Sequence, residues 1–213
     1  MEEYHKIQTL FKRDEKTKHI LEGDWTLPEF EYLKDNIWVF TEKVDGMNIR
    51  VMWDGKNIVF GGRTDSAQIP VVLLYKLQKL FDGMENKQKF IEKFGIDSNV
   101  CLYGEGYGAK IQKSGSNYIP NDVDFVLFDV NINDWWLERE NVVDIANFFK
   151  IKVVPIVGEG TLQEAIEMTR NGFNSEWGEF LAEGIVARPK IELRQRDGKR
   201  IIAKIKHCDF NFN

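Results

Sequence analysis

Two cysteines, Cys101 and Cys208, are all that the 213 residues contain. Neither sits at a metal-ligand spacing, and two thiols do not make a disulfide framework. That argues against a zinc module and against a stapled secreted scaffold. Cys101 lies in an apolar strand pattern and reads as core. Long hydrophobic runs are missing as well. The longest, Ile69 to Tyr75, is far too short to cross a bilayer. The opening Met1-Glu2-Glu3-Tyr4-His5-Lys6 is not a signal peptide. A reducing cytoplasm is the expected address, with no membrane partner. There are no internal repeats, low-complexity tracts or Pro/Gly/Ser linkers. One continuous domain over residues 1–213 is therefore expected, and a chain of this length buries a core without staples. An excess of positive charge is also lacking. The net charge is −5, so no global field draws nucleic acid, and any polyanion site must be local.

One local patch stands out. Between Arg188 and Lys206, eight cations (Arg188, Lys190, Arg194, Arg196, Lys199, Arg200, Lys204, Lys206) face only Glu192 and Asp197, a local net of +6. They flank the apolar Ile201-Ile202-Ala203, which predicts a sheet face turned toward phosphates.

The patterning favours strands over helices. Trp38 to Glu42 reads as a strand, and Met47 to Trp53 alternates and returns through Asp54-Gly55 to Ile58-Val59-Phe60 as a hairpin. Pro70 opens a helix with Val72, Leu73, Leu77 and Leu80 on its apolar face. Lys87 to Phe94 is a second helix. Asn99 to Tyr107 and Val123 to Val130 are strands. Glu138 to Lys150 is an amphipathic helix, Val153 to Val157 a strand, and Thr161 with Glu164 forms a capping box for a helix to about Arg170. Ile185 to Ala187, Ile191 to Leu193 and Arg200 to Lys206 complete the strands. Residues 1–36 are polar and mixed. The sum is an α+β fold of largely antiparallel sheets flanked by helices.

Chemistry enters at Lys43-Val44-Asp45-Gly46, in the bend after the first long strand. A lysine amine attacks only when neutral, so its surroundings must favour that form through desolvation or nearby positive charge. Five further short motifs follow in order: Gly62-Arg63-Thr64, Tyr103-Gly104-Glu105-Gly106, Phe125 to Asp129, Glu183 to Arg188, and Ala203-Lys204-Ile205-Lys206. Lys204 and Lys206 are two apart on a strand and share a face. Phe125 and Phe128 fall on opposite faces, so only one of them can leave the core. The glycines around Glu105 mark a place where a ligand can come close to a strand.

Gly62-Arg63-Thr64 apart, this set, in this order, resembles motifs I, III, IIIa, IV and V of the covalent nucleotidyltransferases: DNA ligases, RNA ligases and mRNA capping enzymes. It spans about three quarters of the chain. The stretch Trp38 to Arg50, with Glu42 before the lysine and Asn48 after the glycine, most resembles the RNA ligase 2-like branch of phages. The resemblance implies a minimal nucleotidyltransferase domain of ATP-grasp-like fold, of phage or bacterial type. It implies an ATP-dependent RNA ligase that joins 5′-phosphate and 3′-hydroxyl ends through a lysyl-AMP, with magnesium or manganese. Lys43 would be the nucleophile, supported by Asp45, with Asn48 on the acceptor-strand phosphate. Glu42 would accept a bond from the adenine amine, which favours ATP over GTP. Arg63 would bind phosphate, Glu105 the ribose hydroxyls and Lys204 and Lys206 the α-phosphate. Phe128 would stack on the purine, and Glu183 would hold the metal. The expected partners are RNA ends or a nicked duplex, RNA/DNA hybrids included.

Two features depart from the branch. Asp45 stands where phage relatives often carry histidine; Lys-x-Asp-Gly is the pattern of DNA ligases and capping enzymes, which are the alternative readings. A non-catalytic nucleic-acid-binding module is the alternative from another class. The sequence also ends seven residues after Lys206, so neither an OB domain nor the branch's own C-terminal domain is expected. Either the chain is a minimal ligase or a helper protein serves end recognition, and Lys12-Arg13 is the candidate pair for the triphosphate contacts.

Overall fold

A computed structural model describes residues 3–210. The chain forms two compact units, one interrupted in sequence by the other. The framing unit takes His5–Val44 and everything from Pro155 onward. The inserted unit takes Asp45–Val154 and is joined by Glu3 and Tyr4.

The chain opens with short strands β1 (Gln8–Thr9), β2 (Phe11–Arg13) and β3 (Ile20–Trp25), a one-turn helix α1 (Pro28–Tyr32) and β4 (Trp38–Glu42). The inserted unit follows: β5 (Met47–Trp53), β6 (Ile58–Gly61), α2 (Val71–Phe81), α3 (Met84–Phe94), β7 (Val100–Gly108), α4 (Gly115–Tyr118), β8 (Val123–Ile132), β9 (Trp135–Trp136), α5 (Arg139–Phe149) and β10 (Lys152–Val153). The chain returns through β11 (Ile156–Gly160), α6 (Leu162–Asn171), β12 (Gly184–Pro189) and β13 (Ala203–Lys206).

The framing unit is built on a five-stranded sheet in the order β1-β13-β12-β4-β11. All its pairs are antiparallel except β1 with β13. In β4 the alternation buries Trp38, Phe40 and Glu42. Trp38 and Phe40 pack with Phe30, Ile166, Ile185 and Ile205 in one core. The same alternation carries Glu42 inward at the strand's end. Helix α6 starts with the expected capping box: Thr161 Oγ1 accepts from the Glu164 N–H, and the Glu164 carboxylate accepts from the Thr161 N–H.

The inserted unit has its own core and a sheet ordered β10-β8-β7-β5-β6, with β9 paired to β8. One face packs Ile49, Val51, Trp53, Leu102, Phe125 and Leu127 against α2, α3 and α5. A register shift opposite Tyr103 and Gly104 places an extra residue in β8 at Phe128. The apolar core therefore continues from Leu127 to Val130, with the buried Asp129 between them and Phe128 off the core. Such bulges re-aim side chains.

Several expected elements differ. The strand expected over Val153–Val157 is two strands in two sheets: β10 runs parallel to β8, and β11 runs antiparallel to β4. Pro155, which has no N–H for a ladder, stands between them. An apolar run cannot tell which sheet it feeds. No strand forms over Ile191–Leu193, where Arg194 and Arg200 make an isolated bridge around a tight turn. The last strand starts at Ala203 rather than Arg200. Val72 is exposed on α2; Phe81 takes its place with Leu73 and Leu77. The N-terminal strands of two to six residues escaped detection, being shorter than any reliable alternation.

Candidate active site

Lys43 follows the last residue of β4. Its backbone N–H donates to the Gly184 carbonyl at 2.9 Å, which fixes it beside the start of β12. Gly184 has φ +150°, and a Cβ there would meet the Ile205 carbonyl at 2.1 Å. Only glycine lets β12 and β13 approach this closely. The close pairing sets Gly184 opposite Lys206 and leaves Glu183 just before it.

These constraints assemble a charged triad inside the framing unit. The Lys43 ammonium lies 2.6 Å from Glu183 Oε2, and the Lys206 ammonium lies 2.5 Å from Glu183 Oε1. One carboxylate bridges two lysines, and all three side chains are mostly shielded from solvent. Lys204 shares the Lys206 face, since Ala203 and Ile205, which alternate with them, are buried. Burial lowers the pKa of Lys204, and the positive charges of Lys206, Lys43, Lys6 and Arg13 lower it further. Burial also acts to lower Lys206, but its hydrogen bond to Glu183 and that group's charge outweigh this and raise it. The two strand lysines thus differ: Lys206 is held as an ion-pair partner, and Lys204 has no carboxylate within ion-pair distance among the described residues.

Glu42 is not the solvent-facing strand residue that its charge alone would suggest. It is 1% exposed, accepts from Ser175 Oγ at 2.6 Å and accepts from the Glu176 N–H at 2.9 Å. Burial raises its pKa, against the lowering effect of those two bonds.

The inserted unit carries the other candidates. Asp45 accepts from Ser114 Oγ, and its N–H donates to the Tyr118 hydroxyl at 3.2 Å. Asn48 and Glu105 are directly opposite each other on β5 and β7. Both lie on the face away from the core, where cross-strand side chains are neighbours. Asn48 Oδ1 is buried with no hydrogen-bond partner among the described residues. Buried acceptors are nearly always satisfied, so this atom marks a place for an absent donor. Phe125 is core, and Phe128 is partly exposed in an edge-to-face arrangement with Tyr4, the ring centres 5.1 Å apart. The glycines flanking Glu105 serve the core rather than a ligand. A Cβ at Gly104 would strike the Phe125 ring at 2.3 Å, and one at Gly106 would strike Leu73 at 2.3 Å.

Arg63 is exposed in the loop after β6. That loop is tied down by Arg50, a residue the motifs did not point to. Fully buried, Arg50 donates from Nε to the Gly62 carbonyl at 2.8 Å and from Nη2 to Asp65 at 2.6 Å. Ser114, Ser175 and Tyr4 were likewise missed, and nothing local in the sequence distinguishes them.

The basic run from Arg188 to Lys206 is not an open phosphate face. Lys190 pairs with Glu159, Lys199 with Asp197, and Arg194 and the buried Arg200 with Glu192. Of the Lys12-Arg13 pair, Lys12 binds Asp24 and Arg13 binds Asp209, each at 2.6 Å. No group of three or more His, Cys, Asp or Glu among the described residues is placed to hold a metal ion by itself. No helix among them is long and apolar enough to cross a membrane.

A Naegleria gruberi RNA ligase, solved as a lysine-to-alanine variant with ATP and manganese, matches with a TM-score of 0.64 at 22% identity. The match covers 86% of this chain and 52% of that one. The same ligase solved with pyrophosphate gives 0.63 at 24% identity, over 86% and 53%. This chain thus spans about half the length of these solved relatives, and the likeness is one of fold. The RNA ligase family model matches residues 36–206, from just before β4 to the end of β13. That segment holds every candidate residue above from Glu42 to Lys206, and the chain belongs to the RNA ligase family.

Proposed function

We propose that residues 1–213 act as one adenylylation domain of an ATP-dependent RNA ligase that joins a 5′-phosphate to a 3′-hydroxyl. The observation that carries this reading is the Lys43–Glu183–Lys206 triad, with Lys204 beside it, in a chain of this family.

In the first step Lys43 Nζ attacks the α-phosphorus of ATP. The Nζ–P bond forms, the bond to the bridging oxygen breaks, and pyrophosphate leaves with the electron pair. An ammonium has no free pair, so Nζ must first lose a proton. Glu183 Oε2, already in contact with it, is the acceptor in place. Lys204 and Lys206 face the charge that builds on the phosphate oxygens, an electrostatic term that ranks among the largest in phosphoryl transfer. In the second step AMP passes to the 5′-phosphate of RNA. In the third, the 3′-hydroxyl attacks and expels AMP.

A magnesium or manganese ion fits Glu183 as its single protein carboxylate, because such ions are commonly held by one or two carboxylates plus substrate phosphates. When bound, it would withdraw charge from those phosphates. Within this reading, Phe128 stacks on the adenine, Glu105 takes the ribose hydroxyls, Arg63 binds phosphate and Asn48 serves the acceptor strand. Asp45 supports the amine. Glu42, an acceptor toward the adenine N6 amine when ionised, favours ATP over GTP. The solved relatives bound to ATP and to pyrophosphate support the choice of nucleotide. RNA ends or nicked duplexes, RNA/DNA hybrids included, are the substrates, and a helper protein for end recognition is compatible with this reading.

Incubation with labelled ATP or GTP and magnesium tests this directly. Covalent label from ATP and sealing of nicked RNA are expected. Label from GTP alone would make the chain a capping-type guanylyltransferase, and sealing confined to DNA would make it a DNA ligase.

A further inference from the structure

Beyond the triad, the framing unit contains a cavity of about 510 Å³. Its lining includes Lys6, Arg13, Lys204, Lys206, Cys208 and Asp209. Four of these are cations and one is a carboxylate. Asp209 is already engaged by Arg13 at 2.6 Å, and Lys206 by Glu183. Among the described residues, neither Lys6 nor Lys204 has a carboxylate within ion-pair distance, so the cavity keeps uncompensated positive charge. Uncompensated charge in a concave, partly desolvated place attracts an anion of matching multiplicity.

The wall is built by backbone pairing. Strand β1 runs parallel to β13 with Gln8 opposite Ala203 and Thr9 opposite Lys204. This lays the segment carrying Lys6 beside the two strand lysines. Strand β2 then brings Arg13 back, and alternation sends its neighbour Lys12 the other way, onto Asp24. Lys6 and Arg13 lie outside the segment that the family model matches.

We propose that Lys6 and Arg13, with Lys204 and Lys206, form the pyrophosphate site of this chain. It would hold the β- and γ-phosphates of ATP before adenylylation and the leaving pyrophosphate after it. This assignment rests on the ATP-dependent reading above. A diphosphate carries three to four negative charges at neutral pH and matches four cations, two of them unpaired. A single backbone phosphate of RNA would leave the site overcharged.

Cys208 supplies a readout that needs no turnover. It is exposed and lines the cavity, whereas Cys101 is buried with its pKa pushed up to about 12, so a neutral alkylating reagent reports Cys208 alone. The experiment measures iodoacetamide modification of Cys208 in the full chain, alone, with inorganic pyrophosphate, and with a 5′-phosphorylated RNA oligonucleotide. Pyrophosphate at ten times its dissociation constant is expected to slow modification about tenfold. Lys6→Glu, an exposed change, and Arg13→Gln should each abolish that protection, while Lys12→Ala should keep it. Melting curves verify that Arg13→Gln is folded; Lys6→Glu decides the matter if it is not.

Equal modification rates with and without pyrophosphate would overturn the assignment. So would protection by the oligonucleotide but not by pyrophosphate, or protection that survives Lys6→Glu. If the chain forms lysyl-AMP and pyrophosphate gives no protection, only the site is wrong. If pyrophosphate protects and no lysyl-AMP forms, the adenylylation reading fails and the anion site stands.

Discussion

The two sheets treat their polar residues in opposite ways. In the framing unit most of these charges satisfy one another, Lys6 and Lys204 apart: Glu183 bridges Lys43 and Lys206, Arg13 holds Asp209, and Glu42 is taken up by Ser175 and Glu176. On the outer face of the inserted unit's sheet, Asn48 keeps a buried acceptor with no donor among the described residues and Phe128 lies off the core, while Arg63 is exposed in the loop after β6. The first arrangement suits a group transfer that must manage charge on a phosphate. The second suits recognition, because unmet bonding capacity is what a ligand can fill. On this reading, substitutions in the Lys43–Glu183–Lys206 triad should stop chemistry, and those on the inserted sheet should change affinity or a later step.

The sharpest way to break that division is Lys43→Arg. It preserves the positive charge facing Glu183, but a guanidinium cannot be deprotonated. Covalent label from ATP should fall more than about a thousandfold, as for other lost nucleophiles. Residual labelling at wild-type level would dissolve the contrast. Next comes Glu183→Gln, which removes the shared carboxylate and leaves two unpaired lysines. Single-turnover lysyl-AMP formation should drop by about 10²–10³, the scale of losing one preorganised electrostatic partner.

Two phenylalanines three residues apart sharpen the comparison inside one strand. Phe125→Ala should cost about 3–5 kcal/mol of stability, as core truncations do. Phe128→Ala should leave the melting temperature nearly unchanged and raise the half-saturating ATP concentration about tenfold, within the range for a lost stacking contact. Titrations of ATP-dependent label and thermal melts separate the two. Asn48→Val removes the orphaned acceptor. It should raise stability by about 1 kcal/mol or less, since an unmet buried group is a cost, while slowing strand sealing and sparing lysyl-AMP formation.

The smallest effect concerns pH. Burial raises the pKa of Glu42 above its ordinary 4.5 in the folded state. Its contribution to stability is therefore complete below pH 4.5 and is lost as pH rises through the folded-state value. Glu42→Gln should lack that loss, so the wild-type minus variant difference in melting temperature should decline with rising pH over this window. A pH-independent difference would show that Glu42 does not titrate there.

Much of this was legible in the sequence because strand alternation is a strong constraint. It placed Lys204 and Lys206 on one face, parted Phe125 from Phe128, and marked β4, β5, β7 and β8 within a residue or two. The α6 capping box was legible for the same reason, being a fixed local spacing. What was not legible depended on distant partners. Only the Phe125 ring and the Leu73 side chain explain the glycines at 104 and 106, and a glycine beside a glutamate reads equally well as a ligand approach. Pro155 divides an apolar run between two sheets, which no local pattern reveals. The basic run from Arg188 looked like an open face until Glu159 and Glu192 were found against it. Arg50 sat in plain view within a strand, and its task of holding the loop of Arg63 depends on Gly62 and Asp65 across a hairpin.

The central claim is that Lys43 carries a covalent nucleoside monophosphate. Peptide-resolved mass spectrometry of the chain after incubation with ATP and magnesium tests it most directly. One AMP moiety on the peptide containing Lys43, labile to acid and reversed by added pyrophosphate, is the predicted result. An unmodified Lys43 peptide, or the adduct on any other lysine, would contradict the account.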